Sequence, residues 1–275
     1  MPIVTLTTDW GTSDFYVAAL KGQMLSMCPE AHIVDISHDA SYLGNLAQAA
    51  YNLRNAYACF PEGSVHVVGL DSEADPSVPF VAAESNRQLF ICKNNGFLSL
   101  ALDGLDSATA IAQPAEQVAE FSAMLHAVPP AVKKLLQGAP ASSLGEAVAL
   151  HAITPQQPIV KFEARRDSAV EQGAKSRVST ITGHILYIDR HGNAITNITR
   201  ELFGSSAQGR RHSIFIASNR YEFSQVGNTY ADVRSGMPVI FFNSQELLEV
   251  AIRYGNASHL YGLSAGSSIF IKFQD

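Results

Sequence analysis

Two carboxylates lie close together near the amino terminus, in the segment from Asp9 to Asp14. The apolar run from Ile3 to Thr8 predicts a buried strand before them, and the pattern that begins near Phe15 predicts a helix after them. Ligands bind at such loops in α/β folds, because the strand fixes the side chains and the helix begins with free N–H groups. The segment therefore predicts a ligand site that contains Asp9 and Asp14.

The two acidic residues differ in how strongly they support this prediction. Asp14 lies where the helix would begin, and an acidic residue there is often only a response to the helix dipole. Asp9 directly follows the strand and precedes Gly11, whose missing side chain lets a ligand approach closely. We therefore interpret Asp9 as a ligand-binding residue, and both interpretations stay open for Asp14.

Further titratable residues follow the next two predicted strands. Asp35, His38 and Asp39 lie at the end of the second strand, and Asp71 follows the third. Clustered carboxylates with a histidine suit a divalent cation, so a metal-dependent phosphoesterase or nucleoside hydrolase is one hypothesis. The alternative, which we favour, is that Asp35 and His38 only brace the loop and that the protein holds no metal.

The composition restricts the class of protein. The chain has 275 residues, of which 47% are hydrophobic and 16% charged, which suits one large domain or two ordinary ones with packed cores. A net charge of −6 argues against a nucleic-acid partner. The three cysteines lie in apolar surroundings and predict buried, reduced thiols. No leader peptide or membrane span is recognisable, so we expect a cytoplasmic protein with a small-molecule ligand and no membrane partner.

The first half of the chain alternates strands with helices. This order predicts an α/β domain over residues 1–165, with a mainly parallel sheet flanked by helices. Within it we expect a helix from Ala131 to Leu136, entered through Pro129 and Pro130 and ended by Gly138.

The second half has a different pattern. A polar, aperiodic stretch between Arg165 and Ser179 predicts a loop near a domain boundary. Short alternating runs then predict a smaller antiparallel, barrel-like β domain over residues 180–275. The runs are Gly183 to Ile188, Ser213 to Ala217, Val239 to Asn243 and Ser268 to Phe273.

Three loops of the β domain contain asparagine, at Asp189 to Asn197, Phe242 to Ser244 and Gly255 to Ser258. Taken alone, each loop is explained by the frequent use of asparagine and glycine in turns. Together the three loops could offer amide and backbone groups to the edge of a purine.

Several short motifs share their order and spacing with a known family. They are Thr8 to Asp14 with Lys21 and Gly22, Val34 to His38, Asn94 to Gly96, and Ile188 to Asn193 with Thr196 to Ile198. On these motifs the chain resembles, over nearly its whole length, the adenosine-forming S-adenosylmethionine hydrolases. They are also called S-adenosylmethionine hydroxide adenosyltransferases, and their relatives include the fluorinase and chlorinase.

The resemblance implies an amino-terminal α/β domain, a carboxy-terminal β domain and a homotrimer that binds the ligand between subunits. It implies that the ligand is the substrate, S-adenosylmethionine, and that no cofactor is needed. By matched motif positions, Asp9 and Asn193 would face the ribose, Asp14 and Ser244 would contact the methionine part, and Asn256 and Ala257 would read the adenine.

The resemblance also implies the reaction, in which water attacks the 5′ carbon and releases adenosine and methionine. Asp71 matches the aspartate that handles this water in the hydrolases, and a carboxylate there would repel a halide, which argues against halide transfer.

The arginine and histidine that accompany this aspartate in the family are not matched in this chain. The segment after Asp71 has no arginine, and Ala123 lies near the histidine position. His126 or Glu73 could take part instead. The leading hypothesis is therefore a hydrolase with an incomplete triad, and the alternative is a protein that binds S-adenosylmethionine or adenosine with little or no catalysis.

Overall fold

The structure, a computed structural model, describes residues 2–39, 46–72, 75, 77–112, 120–163 and 177–274. The chain divides into two compact units, Met1–Pro155 and Gln156–Asp275. The predicted domain limits, 1–165 and 180–275, stay a prediction, because residues 164–176, with most of the predicted boundary loop, lie outside the described ones.

The first unit contains one seven-stranded sheet. Its strands are β1 (Ile3–Thr8), β2 (His32–Ser37), β3 (Val65–Gly69), β4 (Phe80–Ser85), β5 (Gln88–Lys93), β6 (Ser107–Ala110) and β7 (Ala147–Ala149). They are arranged in the order β2-β1-β3-β5-β4-β6-β7. The first four strands of this order are parallel, and β4, β6 and β7 continue the sheet in antiparallel pairing. The carboxyl ends of β1, β2 and β3 therefore lie side by side.

Helices cover both faces of this sheet. They are α1 (Tyr16–Met27), α2 (Leu46–Tyr57), α3 (Phe97–Ala101) and α4 (Glu120–Leu136). Successive strand residues face opposite sides. In β3, Val65 and Val67 belong to the core with α1 and α4, whereas Val68 belongs to the core with α2 and α3. The predicted α/β architecture is confirmed for this unit.

The predicted start of the fourth helix is wrong. The helix begins at Glu120 and contains both Pro129 and Pro130, rather than beginning after them. A proline inside a helix costs about 3 kcal/mol, because it removes a backbone donor and crowds the preceding turn. Here the buried stripe that runs from Ala123 to Leu135 packs against α1 and the sheet on both sides of the prolines. This continuous apolar packing outweighs the local preference.

The second unit is an antiparallel sheet that curls into a nearly closed barrel. Its strands are β8 (Ile159–Glu163), β9 (Arg177–Ile188), β10 (Ala194–Thr199), β11 (Arg211–Ile216), β12 (Tyr221–Phe223), β13 (Pro238–Phe242), β14 (Leu247–Ile252) and β15 (Ser268–Gln274). The order is β12-β11-β15-β9-β10-β14-β13, and β8 also pairs with β9. The four predicted runs fall within or largely within β9, β11, β13 and β15, so the predicted β fold is confirmed.

Two short helices in this unit were not predicted, α5 (Arg200–Ala207) and α6 (Ala257–Tyr261). The prediction of three buried thiols is confirmed only for Cys92, because Cys28 is partly exposed and Cys59 is exposed in the turn that follows α2. None of the helices in the described part of the chain combines the length and apolar character that a membrane crossing requires.

Candidate functional site

The acidic loop, Asp9 to Asp14, begins where β1 ends. In the sheet, β1 lies between its parallel neighbours β2 and β3. The main chain ties this loop to both neighbouring strands. The N–H of Asp9 donates to the carbonyl of Gly69 at 3.4 Å, and the N–H of Gly11 donates to the carbonyl of His38 at 2.8 Å. Gly11 has φ +65°, a conformation that glycine adopts without strain. The loop is therefore held at the carboxyl edge of the sheet, as predicted.

Asp9 and Asp71 are brought together at this edge. The N–H of Asp71 donates to Oδ2 of Asp9 at 3.4 Å. Burial raises the pKa of Asp9, two backbone N–H groups oppose this rise, and the negative charge of Asp71 adds to it. Asp71 itself is exposed and has φ +50°, a sparsely populated conformation of the kind that clusters at functional sites. The two carboxylates present a negative surface to solvent.

Asp14 is placed differently. It is exposed, and it lies two residues before the first residue of α1. The contacts described for this part of the chain do not join Asp14 to Asp9 or Asp71.

A buried hydroxyl lies next to Asp71 in the chain. Ser72 is buried, and within the described residues its Oγ has no hydrogen-bond partner. Such groups are normally satisfied by protein, water or ligand. Asp71 and Ser72 thus offer an exposed acceptor and an unsatisfied hydroxyl in adjacent positions.

Asp35 and His38 brace the loop. Nδ1 of His38 lies 2.8 Å from Oγ1 of Thr8, and its Nε2 lies 3.0 Å from Oδ1 of Asp35. Oδ2 of Asp35 accepts from Nζ of Lys21 at 2.6 Å. Partial burial opposes ionisation of Asp35, but the bonds from Lys21 and His38 outweigh it and lower its pKa. No group of three or more His, Cys, Asp or Glu side chains within the described ranges has a geometry that could hold a metal ion.

The only tryptophan of the chain, Trp10, lies in this loop. It packs close to Gly69 at the end of β3, where an added Cβ would lie 2.9 Å from Cζ2 of Trp10 and 3.0 Å from Cε of Met124. The indole is therefore a fluorescent reporter located one residue from Asp9.

In the β unit, Asn193 is buried and makes several hydrogen bonds. Its Nδ2 donates to Oδ2 of Asp189 at 2.9 Å and to the hydroxyl of Tyr230 at 3.2 Å. The Tyr230 hydroxyl in turn donates to Oε1 of Glu249 in a short hydrogen bond. Burial, followed by the bond to the Glu249 carboxylate, raises the pKa of Tyr230, which therefore keeps its proton at neutral pH.

Asn193 and Asn256 line the same pocket, which has a volume of about 670 Å³. Oδ1 of Asn256 accepts from the N–H of His259 at 2.7 Å and thereby caps α6. Ala257, which follows Asn256, is fully buried and does not line this pocket. A Cβ at Gly192, which has φ +81°, would lie 2.2 Å from Cγ of Asn256, so only glycine allows the two loops to meet.

Ser244 is exposed in the loop between β13 and β14. Asn243 shapes this loop, because its Oδ1 accepts from the N–H groups of Gln245 at 3.0 Å and Leu247 at 3.2 Å. Nδ2 of Asn243 donates to Oε2 of Glu249 at 3.1 Å. Ser244 and Asn193 are thus connected through Glu249.

Comparison with known proteins agrees with this geometry. The family model described as the SAM hydroxide adenosyltransferase N-terminal domain matches residues 4–145, and the model for the C-terminal domain of the same family matches residues 183–270. The chain belongs to the SAM hydroxide adenosyltransferase family. The resemblance inferred from the motifs is confirmed.

Members of this family with curated names match over nearly the whole chain. A Thermus thermophilus protein named (R)-S-adenosyl-L-methionine hydrolase is 30% identical over 97% of this chain and 98% of its own. A protein of the same name from Salinispora arenicola is 26% identical, covering 98% of this chain and 97% of its own. A protein named fluorinase from an Actinoplanes species is 28% identical over the same shares, 98% and 97%.

Solved structures show the same fold. An uncharacterized conserved protein from Thermotoga maritima has a TM-score of 0.79 at 24% identity, and the match covers 98% of this chain and 99% of that one. A conserved hypothetical protein from Thermus thermophilus has a TM-score of 0.68 at 25% identity over the full length of both chains.

The structure also locates the residues at which we expect a departure from the family pattern. Ala123 and His126 both lie in α4, where Ala123 is buried in the core and His126 is exposed. Glu73 lies outside the described residues.

Sequence reasoning missed Tyr230 and Glu249. Glu249 could have been noticed, because it is the single charged residue in the otherwise apolar strand from Leu247 to Ile252. Tyr230 carried no such signal.

Proposed function

We propose that the protein hydrolyses S-adenosyl-L-methionine to adenosine and L-methionine. A water oxygen forms a bond to the 5′ carbon while the bond from that carbon to sulfur breaks. The electron pair of the broken bond neutralises the sulfonium, which leaves as the thioether of methionine, and the proton of the water passes to a base and then to solvent. The observation that carries the proposal is the pair of carboxylates at the sheet edge, Asp9 and Asp71.

Asp71 suits the role of the residue that holds the water. Its carboxylate is exposed, and the neighbouring Ser72 hydroxyl is buried without a partner among the described residues. A sulfonium is already a good leaving group, so the reaction needs a positioned water more than a strong acid. A carboxylate that orients this water and accepts its proton meets that requirement.

The charge at the edge also favours this substrate. A sulfonium is attracted to the two carboxylates, whereas a halide ion would be repelled by Asp71. We therefore prefer hydrolysis to the halide transfer suggested by the name of the Actinoplanes relative.

The remaining predicted residues bind different parts of the substrate. Asp9 and Asn193 hold the ribose, Asp14 and Ser244 contact the methionine part, and Asn256 and Ala257 read the adenine. The protein works in the cytoplasm as a homotrimer in which each substrate lies between the first domain of one subunit and the second domain of another. Light scattering of the purified protein tests the trimer, and a monomeric mass would contradict it.

A second candidate is a protein that binds the nucleoside with little or no turnover. The observation that favours it is the burial of Ala123 in the core, near the position where the family pattern has a histidine. Tight binding of S-adenosylmethionine without product would support this candidate.

The deciding experiment is chromatographic analysis of products from S-adenosylmethionine in chloride-free buffer that contains a chelator. Asp71→Asn is compared with Asp106→Asn, a matched change of an exposed carboxylate before β6. We expect adenosine and methionine from the wild type and from Asp106→Asn but not from Asp71→Asn. Absence of adenosine above the no-enzyme control would reject the proposal, and activity that requires added metal would favour the phosphoesterase or nucleoside hydrolase hypothesis.

A further inference from the structure

Glu249 is an unusual residue for its position in the β domain. It lies in β14 between β13 and β10, where it pairs with Phe241 and Ile195, and it is only 4% exposed. A buried carboxylate is costly unless it is well paired. The structure describes no lysine or arginine in an ion pair with Glu249, and burial raises its pKa. Its partners are instead the Tyr230 hydroxyl and the Asn243 amide.

Both partners lead to residues that we assign to substrate binding. Tyr230 accepts from Nδ2 of Asn193, and Asn243 shapes the loop that carries Ser244. One buried carboxylate thus connects two separate ligand loops of the same unit.

The hydrogen bonds among Asp189, Tyr230 and Glu249 determine how the Asn193 amide is oriented. Asp189 presents carboxylate oxygens, which only accept, so the amide nitrogen rather than the oxygen must face it. Tyr230 gives its proton to Glu249 and is therefore also an acceptor toward Asn193. Both N–H bonds of the amide are used in this way. Among the described residues no donor reaches Oδ1 of Asn193, so this oxygen is left for a ligand.

We propose that Tyr230 and Glu249 are positioning residues that hold the Asn193 amide with its oxygen toward the ligand. The site then selects a ligand with a hydrogen-bond donor at this point, and a ribose hydroxyl provides one. This inference rests on the proposed function, because it takes the ligand to be a nucleoside. A pair that only stabilised the barrel would not affect which ligand the site prefers.

The test measures ligand preference rather than activity alone. The affinities of adenosine, 2′-deoxyadenosine and 3′-deoxyadenosine are measured by calorimetry for the wild type, Tyr230→Phe and Glu249→Gln. Controls are Tyr221→Phe, which removes a hydroxyl in β12, and Glu222→Gln, which neutralises an exposed carboxylate in the same strand.

We expect the wild type and both controls to bind adenosine about 10-fold more tightly than at least one deoxy analogue, because the analogue leaves a polar group unpaired. Tyr230→Phe and Glu249→Gln should reduce this preference to roughly 2-fold, mainly by weakening adenosine binding. In a protein that already carries Asn193→Ala, Tyr230→Phe should have little further effect on the preference for adenosine, because Tyr230 acts through the Asn193 side chain.

Three results would overturn the inference. In the first, Tyr230→Phe and Glu249→Gln lower thermal stability but keep the wild-type preference, which would make the pair a structural brace only. In the second, the wild type binds adenosine and shows no preference over either analogue. In the third, the wild type binds neither adenosine nor S-adenosylmethionine, and then the proposed function fails together with this inference.

Discussion

The assignment of Asp71 can be tested by three substitutions that separate its charge from its backbone conformation. Asp71 has φ +50°, and its N–H is bonded to Asp9. Asparagine removes the charge and tolerates this left-handed conformation almost as well as aspartate. Alanine removes the charge but is strained there, whereas glycine removes the charge and relieves any strain. All three variants lack the carboxylate, and only alanine adds strain.

The expected magnitudes differ for stability and for catalysis. The left-handed conformation costs alanine about 1 kcal/mol, which corresponds to a loss of roughly 2 °C in Tm for a chain of this size. Asp71→Asn should change Tm little, and Asp71→Gly should leave it unchanged or raise it. A carboxylate that accepts the proton contributes about 10²- to 10⁴-fold to the rate, so kcat should fall by this factor in all three variants.

The assay combines thermal unfolding with steady-state release of adenosine. The catalytic role of Asp71 is refuted if Asp71→Asn keeps kcat within about threefold of the wild type. It is also refuted if activity follows the order of stability, with the asparagine and glycine variants active and the alanine variant inactive. That order would mean that the site needs the backbone conformation at Asp71 and not its charge.

Asp71→Asn should also change the behaviour of Asp9. The negative charge of Asp71 is one of the causes that raise the pKa of Asp9, so its removal lowers that pKa. Asp9 then stays ionised to lower pH, and binding of the cationic substrate should persist further into acid in this variant than in the wild type.

Three other predictions follow from buried or crowded positions. Gly192→Ala places a Cβ 2.2 Å from Cγ of Asn256 at φ +81°, and we expect a loss of about 3 kcal/mol in urea unfolding together with weaker adenosine binding. Gly69→Ala places a Cβ 2.9 Å from Trp10 and should shift the emission of this single tryptophan, whereas Gly104→Ala, where no atom lies within 4 Å, should leave it unchanged. Burial lowers the pKa of His66 in the folded protein below its ordinary 6.5. As the pH falls, His66 is therefore protonated in the unfolded chain before it is protonated in the folded protein. Wild-type stability should therefore be complete above about pH 6.5 and fall below it, and the fall should be smaller in His66→Gln.

The sequence predicted the acidic edge of the sheet because the signals there are local. The apolar run before Asp9 and the alternation of strands with helices imply a parallel sheet, and in a parallel sheet the ends of neighbouring strands meet. Asp9 and Asp71 therefore came together as expected, although 62 residues separate them. Asp35 and His38 also lie together at the base of the loop, which agrees with the bracing role that the sequence favours for them.

The parts that sequence reasoning missed depend on distant partners. Local rules end a helix at Pro129 and Pro130, but the core beneath α4 continues on both sides of them. Glu249 acquires its role only through the pairing of β14 with its neighbours and through Tyr230, which lies 19 residues earlier in the chain. The register in which neighbouring strands pair is decided by packing across the whole barrel. A short stretch of sequence therefore does not reveal which residues will meet.

The charge balance of the reaction suggests how it would proceed with the incomplete triad that we expect from the sequence. The substrate brings its own positive charge and its sulfur leaves neutral, so charge is lost rather than created at the leaving group. The site therefore needs negative groups to bind the sulfonium and one acceptor to hold the water, and we propose that Asp9 and Asp71 provide these. A missing arginine would chiefly affect how well the water is oriented, which is a matter of rate. Substrate affinity should accordingly depend on the carboxylates and on the Asn193 loop, whereas turnover should depend most on Asp71.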